Sequence, residues 1–139
     1  MTAAATGSSR WALAAAAAVV VVVGLIARQL PGALGDLAGG VLYAVLVTLL
    51  VALVAPRARP ATLGAVALAV CTTVELAQLT GVPATLVDAA PPLRYLLGTT
   101  FHAPDLAAYA VGAAAAAGGL AAAGARAARK THAAPDPGR

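Results

Sequence analysis

The chain has 139 residues, of which 61% are hydrophobic and only 10% are charged. Soluble domains have about 45–50% apolar and 25% charged residues, so this composition excludes an ordinary soluble fold, and the length suits one domain. The net charge is +4, but the basic residues are dispersed between apolar runs, which argues against a nucleic-acid-binding face. The single cysteine, Cys71, lies in an apolar run, so it can form no intramolecular disulfide and we expect it to be buried.

Four apolar segments are long enough to cross a bilayer, because a membrane-spanning helix needs about 20 mostly apolar residues. They cover residues 11–27, 37–55, 61–80 and 106–125. Glu75 is the only charged residue inside any of them. The sequence therefore predicts an all-α integral membrane bundle of four transmembrane helices over residues 11–125. A short N-terminal segment, 1–10, precedes it, and a basic tail, 126–139, follows it and is predicted to be disordered.

The first and last of these segments are the least typical. An arginine precedes the first one, so a cleaved signal peptide is an alternative, although Arg and Gln follow it where a cleavage site would have small residues. The last segment is almost entirely alanine and glycine, and alanine contributes little to insertion. We expect this helix to depend on packing against the others through glycines that allow close backbone approach. These glycines are Gly112, Gly118, Gly119 and Gly124.

The connections between the spans contain proline, which ends helices because it lacks an amide donor. They cover residues 28–36, 56–60 and 81–104. Loops longer than about 12–15 residues are uncommon unless they are functional, so we expect the last connection to hold a short interfacial or re-entrant element around residues 93–97. Lys and Arg concentrate in cytoplasmic loops. Seven of the nine basic residues lie on the cytoplasmic side if the N-terminus is inside, so both termini are predicted to be cytoplasmic.

This orientation collects most polar side chains at the outer end of the bundle. Glu75 lies near the outer end of the third span, so it should face the bundle and be either protonated or paired with a cation. Gln78 lies one turn further along the same helix face. Asp105, at the start of the fourth span, can cap its first turn, with Tyr109 four residues later. Together with Arg94 in the long loop, these residues form the predicted pocket. The secondary candidates are Arg28, Asp36, Tyr43 and Phe101.

The order of these residues resembles a family of small bacterial membrane proteins, domain of unknown function family 2809. The pattern consists of Glu75, Gln78, Arg94, Gly98, Phe101, Asp105, Tyr109 and Gly112, preceded by Gly35, Asp36 and Tyr43. More distantly, the order Glu-x-x-Gln, Arg, Asp, Gly is similar to the VanZ-like proteins, which are associated with glycopeptide resistance. The resemblance implies a multi-pass fold in the bacterial cytoplasmic membrane, in the cell envelope, and this set of candidate residues. It implies no reaction.

The sequence leaves several functions open. It contains no Walker phosphate loop, H-E-x-x-H, C-x-x-C or G-x-S-x-G motif, and one loop histidine is weak support for a metal, so we expect neither metal nor cofactor. Glu75 either anchors the outer loop by pairing with Arg94 or serves a function, and Arg94 either pairs with a carboxylate or binds a phosphate.

The favoured prediction is a pocket that binds a lipid head group or cell-envelope component, or that anchors a membrane partner such as a second copy of the chain. The alternatives are a membrane-embedded enzyme that uses Glu75 and Asp105 on a lipid-linked substrate, and a small transporter.

Overall fold

The computed structural model describes the backbone of residues 3–132 and the side chains of residues 10–130, and every regular element within that part of the chain is a helix. The long helices are α1 (Ala3–Ala27), α2 (Ala33–Val54), α3 (Pro60–Gln78) and α6 (Ala103–His132). Between α3 and α6 lie two short helices, α4 (Val82–Ala89) and α5 (Arg94–Leu97), with a 3₁₀ turn at Pro91–Leu93.

All four long helices are long and apolar enough to cross a membrane, which confirms the predicted number of spans. The spanning parts are Arg10–Ala27, Ala33–Val54, Pro60–Gln78 and Ala103–Lys130. Large apolar side chains such as Val19, Ile26 and Val111 are exposed on their outer surfaces. Such surfaces suit a bilayer, because lipid tails are as apolar as these side chains.

The helix ends differ from the predicted ones at several places. Helix α2 begins at Ala33, four residues early, directly after Gly32, whose φ of 67° is rarely adopted by other residues. Helix α3 begins with Pro60, as proline is tolerated where the amide needs no partner. Helix α6 continues to His132, since alanine, arginine and lysine favour helix, so the predicted disordered tail is helical in its first part. The rest of that tail, residues 133–139, lies outside the described residues.

Helices α2, α3 and α6 pack against one another, whereas α1 packs against α2 alone among the described elements. Small residues bring α2 and α6 together. A Cβ added at Gly112 would overlap the backbone carbonyl of Val41, and one at Gly40 would lie 2.9 Å from the Cβ of Ala108. The other three glycines predicted to allow close packing have no described atom within 4 Å of an added Cβ. Of the four glycines predicted to allow close packing, Gly112 is therefore the one that lies at a contact between two described helices.

The long connection folds onto the end of the bundle. The Tyr43 hydroxyl donates a hydrogen bond to the carbonyl of Leu96 at 2.9 Å, and Gln78 Nε2 donates to the carbonyl of Leu97 at 2.7 Å. Gly98 then ends α5 with a φ of 61°, and a Cβ at this position would crowd the Gln78 amide. The predicted short element is thus present as α5, and two side chains of the long helices hold it in place.

Candidate functional site

A cavity of about 420 Å³ lies at the end of the bundle where α1 and α3 end and where α2 and α6 begin. The loop that carries α5 forms its remaining wall. Its polar side chains are Arg28, Asp36, Tyr43, Glu75, Gln78, Tyr95, Thr100, His102, Asp105 and Tyr109. This set brings together four of the five residues predicted for the pocket, all except Arg94, and the secondary candidates also line the cavity.

Glu75 is the most buried charged residue of the site, with 1% of its surface exposed. One carboxyl oxygen accepts a hydrogen bond from the Tyr109 hydroxyl at 2.8 Å, and the other accepts one from the backbone amide of His102 at 2.5 Å. Burying a carboxyl group is costly unless its oxygens are hydrogen-bonded. The two donors meet this requirement and tie the last turn of α3 to the start of α6.

Arg94 lies outside this arrangement. Its side chain is exposed on α5 and does not line the cavity. The ion pair between Arg94 and Glu75, one of the alternatives that the sequence left open, is absent. The one ion pair within 4.0 Å among the described side chains joins His102 and Asp105. The physical reason is that a hydroxyl and an amide already satisfy the buried carboxyl group, so no guanidinium is needed there.

Arg28, a secondary candidate, is the arginine of the cavity wall. It directly follows α1, and its guanidinium lies over the ring of Tyr95, 5.9 Å from the ring centroid. Such an arrangement is a cation–π contact, which holds the side chain in one orientation while leaving its donors available. Sequence reasoning missed Tyr95, because a tyrosine in a loop carries no periodic signal.

His102 and Asp105 form a pair at the start of α6. His102 Nδ1 lies 3.1 Å from Asp105 Oδ1, and this hydrogen bond raises the pKa of the exposed imidazole above its ordinary value. Asp105 was predicted to cap the first turn of α6, but it is the third residue of that helix and its side chain bonds to the imidazole. The sequence had shown His102 only as an isolated histidine, and its contribution to Glu75 comes from its backbone.

Two polar residues of the cavity wall donate hydrogen bonds to the loop that carries α5. Gln78 and Tyr43 both hold carbonyl groups of α5, and the Tyr43 ring also packs against Tyr109 with 6.0 Å between the ring centroids. The amide oxygen of Gln78 is buried and has no hydrogen-bond partner within the described part of the chain. Gln78 therefore fixes the loop through its nitrogen and leaves an acceptor unused.

Carboxyl groups outnumber guanidinium groups among the side chains that line the cavity. Three carboxyl groups line it, those of Asp36, Glu75 and Asp105, against the guanidinium of Arg28. Among the described side chains, no three His, Cys, Asp or Glu residues are placed so that together they could hold a metal ion. Cys71 is fully buried in the core and does not line the cavity. The arrangement suits a polar group that donates hydrogen bonds and carries an anionic part near Arg28.

A family model for proteins of unknown function, DUF2809, matches residues 29–113. The chain belongs to this family. The DUF2809 match begins just before α2 and ends within α6, so it contains every cavity residue except Arg28. No curated protein and no solved structure matches the chain. The distant similarity to VanZ-like proteins stays a prediction, and the DUF2809 assignment supplies no activity.

Proposed function

We propose that this DUF2809 protein binds the head group of a membrane lipid or lipid-linked envelope component in the cavity at the end of its bundle. The observation that carries the proposal is a polar cavity of about 420 Å³ that lies at the ends of four apolar, membrane-length helices. A ligand at that position would have its polar part at the depth of the head groups, where lipids present theirs.

The cavity end is proposed to face outward from the cytoplasmic membrane of a bacterium, with both termini in the cytoplasm. Seven of the nine basic residues then lie inside. Labelling with a membrane-impermeant thiol reagent tests this orientation. Cysteine at Thr85, exposed on α4, should react in intact cells, whereas cysteine at Thr62, exposed in the first turn of α3, should react only after permeabilisation. The buried Cys71 provides the unreactive background, and the reverse pattern would overturn the orientation.

The carboxyl group of Asp36 lines the cavity and makes no described side-chain hydrogen bond, which favours a head group that donates hydrogen bonds beyond its phosphate. Phosphatidylethanolamine and phosphatidylglycerol have such donors, and phosphatidylcholine has the phosphate without them. One hydrogen bond contributes about 1 kcal/mol, which is about a fivefold difference in affinity. We therefore expect the purified protein to retain the first two lipids at least about fivefold more tightly than phosphatidylcholine, measured by native mass spectrometry from mixed micelles.

A matched pair of aspartate variants tests whether the cavity is responsible. Asp36 lines the cavity, whereas Asp88 is exposed on α4 and does not. Asp36→Asn should reduce the preference for donor-bearing head groups, and Asp88→Asn should leave it unchanged. Equal retention of all three lipids, or equal effects of the two variants, would contradict the proposal.

A second candidate function is catalysis on a lipid-linked substrate. Glu75 and Asp105 both line the cavity but in different surroundings, since Glu75 is 1% exposed and the side chain of Asp105 is 23% exposed. Two carboxyl groups in different environments can divide the roles of acid and base. If this protein is an enzyme, Glu75→Gln should abolish turnover of an envelope lipid at unchanged protein abundance. A binding protein should show no accumulating substrate, and a transporter should give flux in proteoliposomes.

A further inference from the structure

A second cavity adjoins the polar one. It is an apolar groove of about 370 Å³ between α1 and α2, closed at one end by the turn before α5. Its apolar lining comes from Val20, Val21, Leu25, Leu42, Leu46, Pro92, Leu93 and Leu96. The groove and the polar cavity share five wall residues, namely Arg28, Gly39, Tyr43, Tyr95 and Leu96. The two spaces are therefore neighbours with a common wall.

Arg28 belongs to this common wall. Its guanidinium lies over the ring of Tyr95 in α5. Its aliphatic part lies near Gly39 of α2. A Cβ added at Gly39 would lie 3.8 Å from Arg28 Cγ, so the absence of a side chain there leaves room for the arginine. From α1 toward the end of the bundle, the surface thus changes from the apolar groove to the guanidinium of Arg28 and then to the polar cavity.

We infer that the groove between α1 and α2 holds a hydrocarbon chain of a glycerophospholipid whose head group occupies the polar cavity, with the lipid phosphate bound by Arg28. This inference rests on the proposed function. A phospholipid presents a hydrocarbon chain, a phosphate and a polar head in this order, which matches the order of the three surfaces. Arginine is suited to the central position because its planar donors bind phosphate oxygens in pairs.

The same chemistry occurs in a glycerophospholipid and in a polyprenyl phosphate, since both join a phosphate to a long hydrocarbon chain. The hydrocarbon chain gains little by leaving the bilayer for the groove, because lipid tails are as apolar as the groove. Selectivity between lipids should therefore come from the phosphate at Arg28 and from the head in the polar cavity. The groove limits binding to molecules whose hydrocarbon chain fits it while their phosphate reaches Arg28 and their head reaches the polar cavity.

Two adjacent valines of α1 provide a matched test. Val21 lines the groove and Val22 does not, although both are exposed, at 42% and 57%. Val21→Trp should fill the groove, displace the hydrocarbon chain and weaken retention of phosphatidylethanolamine, whereas Val22→Trp should retain it like the unchanged protein. Arg28→Gln should weaken retention about tenfold, the loss expected for a charge-assisted contact to phosphate. Retention is measured by native mass spectrometry from mixed micelles, with a C55 polyprenyl phosphate in a parallel arm. Tighter retention of the polyprenyl phosphate would overturn the assignment of a glycerophospholipid.

A chain-free probe separates this inference from the proposed function. Glycerophosphoethanolamine has the head and phosphate of phosphatidylethanolamine but no hydrocarbon chains. Its binding should be unaffected by Val21→Trp and reduced by Arg28→Gln. If Val21→Trp and Val22→Trp retain the lipid equally while the donor-bearing head group is still preferred, the groove inference is wrong and the proposed function stands. If phosphatidylethanolamine is retained no better than phosphatidylcholine and glycerophosphoethanolamine does not bind, the proposed function itself fails.

Discussion

Replacing Tyr109 with phenylalanine should destabilise the protein by removing one of the two described donors to Glu75. The hydroxyl donates at 2.8 Å, Tyr109 is 7% exposed and Glu75 is 1% exposed, so water cannot easily take its place. Leaving a buried acceptor unsatisfied costs about 1–3 kcal/mol in soluble proteins, whereas side-chain hydrogen bonds inside membrane proteins average about 0.6 and reach about 1.7 kcal/mol. We expect a loss of about 1–1.5 kcal/mol, near the top of the membrane range, because the acceptor is a carboxyl group.

The assay is unfolding in mixed micelles with increasing dodecyl sulfate, followed by circular dichroism. A double-mutant cycle with Glu75→Leu isolates the pair, since leucine removes both acceptors and adds no new hydrogen bond. Tyr95→Phe is the matched control, because Tyr95 is 57% exposed and its hydroxyl makes no described hydrogen bond. Additive effects of Tyr109→Phe and Glu75→Leu, or equal losses for the two tyrosine variants, would refute the assignment of Tyr109 as the partner of Glu75.

Two further changes test the helix packing and the site. Gly112→Ala should lower the free energy of unfolding by about 1–3 kcal/mol because the added methyl group meets the α2 backbone, whereas Gly118→Ala, which meets no described atom, should leave it unchanged or slightly raised. The same unfolding assay compares them, and equal stabilities would contradict the close contact of α2 and α6. The raised pKa of His102 should fall in Asp105→Asn, measured by NMR of the imidazole. Because the pKa is raised, the pair stabilises the protein fully below the ordinary imidazole pKa of about 6.5, and this contribution is lost as the pH rises past the raised value. Asp105→Asn should therefore reduce the free energy of unfolding at about pH 5.5 and have little effect at about pH 9. A loss of stability that does not depend on pH would show that Asp105 does not act by pairing with the protonated imidazole.

The sequence was sufficient for the number of spans, because spanning a bilayer requires about 20 apolar residues and each of the four segments satisfies this requirement independently of the others. It also indicated that α3 would bury Glu75 toward the bundle, since a carboxyl group inside an apolar helix has few acceptable positions. The family pattern from Glu75 to Gly112 was visible as well, and the DUF2809 match covers it.

Residue pairing depended on the tertiary structure. Sequence reasoning left Glu75 either protonated or paired with a cation, with Arg94 as the candidate partner, but the start of α6 brings a tyrosine hydroxyl and a backbone amide to that carboxyl group. A backbone donor cannot be recognised from residue type, because every residue except proline has one. The position of Arg28 beside Tyr95 also depends on how the long loop folds back.

Composition and hydropathy by themselves determined that this is a four-span, all-helical membrane protein with most of its acidic residues near one end. These properties follow from the length and the apolar composition of each segment, which can be judged one segment at a time. The folding of the loop over that end decided which side chains surround a common cavity and which cation faces it. Contacts between residues far apart in the chain depend on the packing of whole helices, and close approach at Gly40 and Gly112 sets that packing.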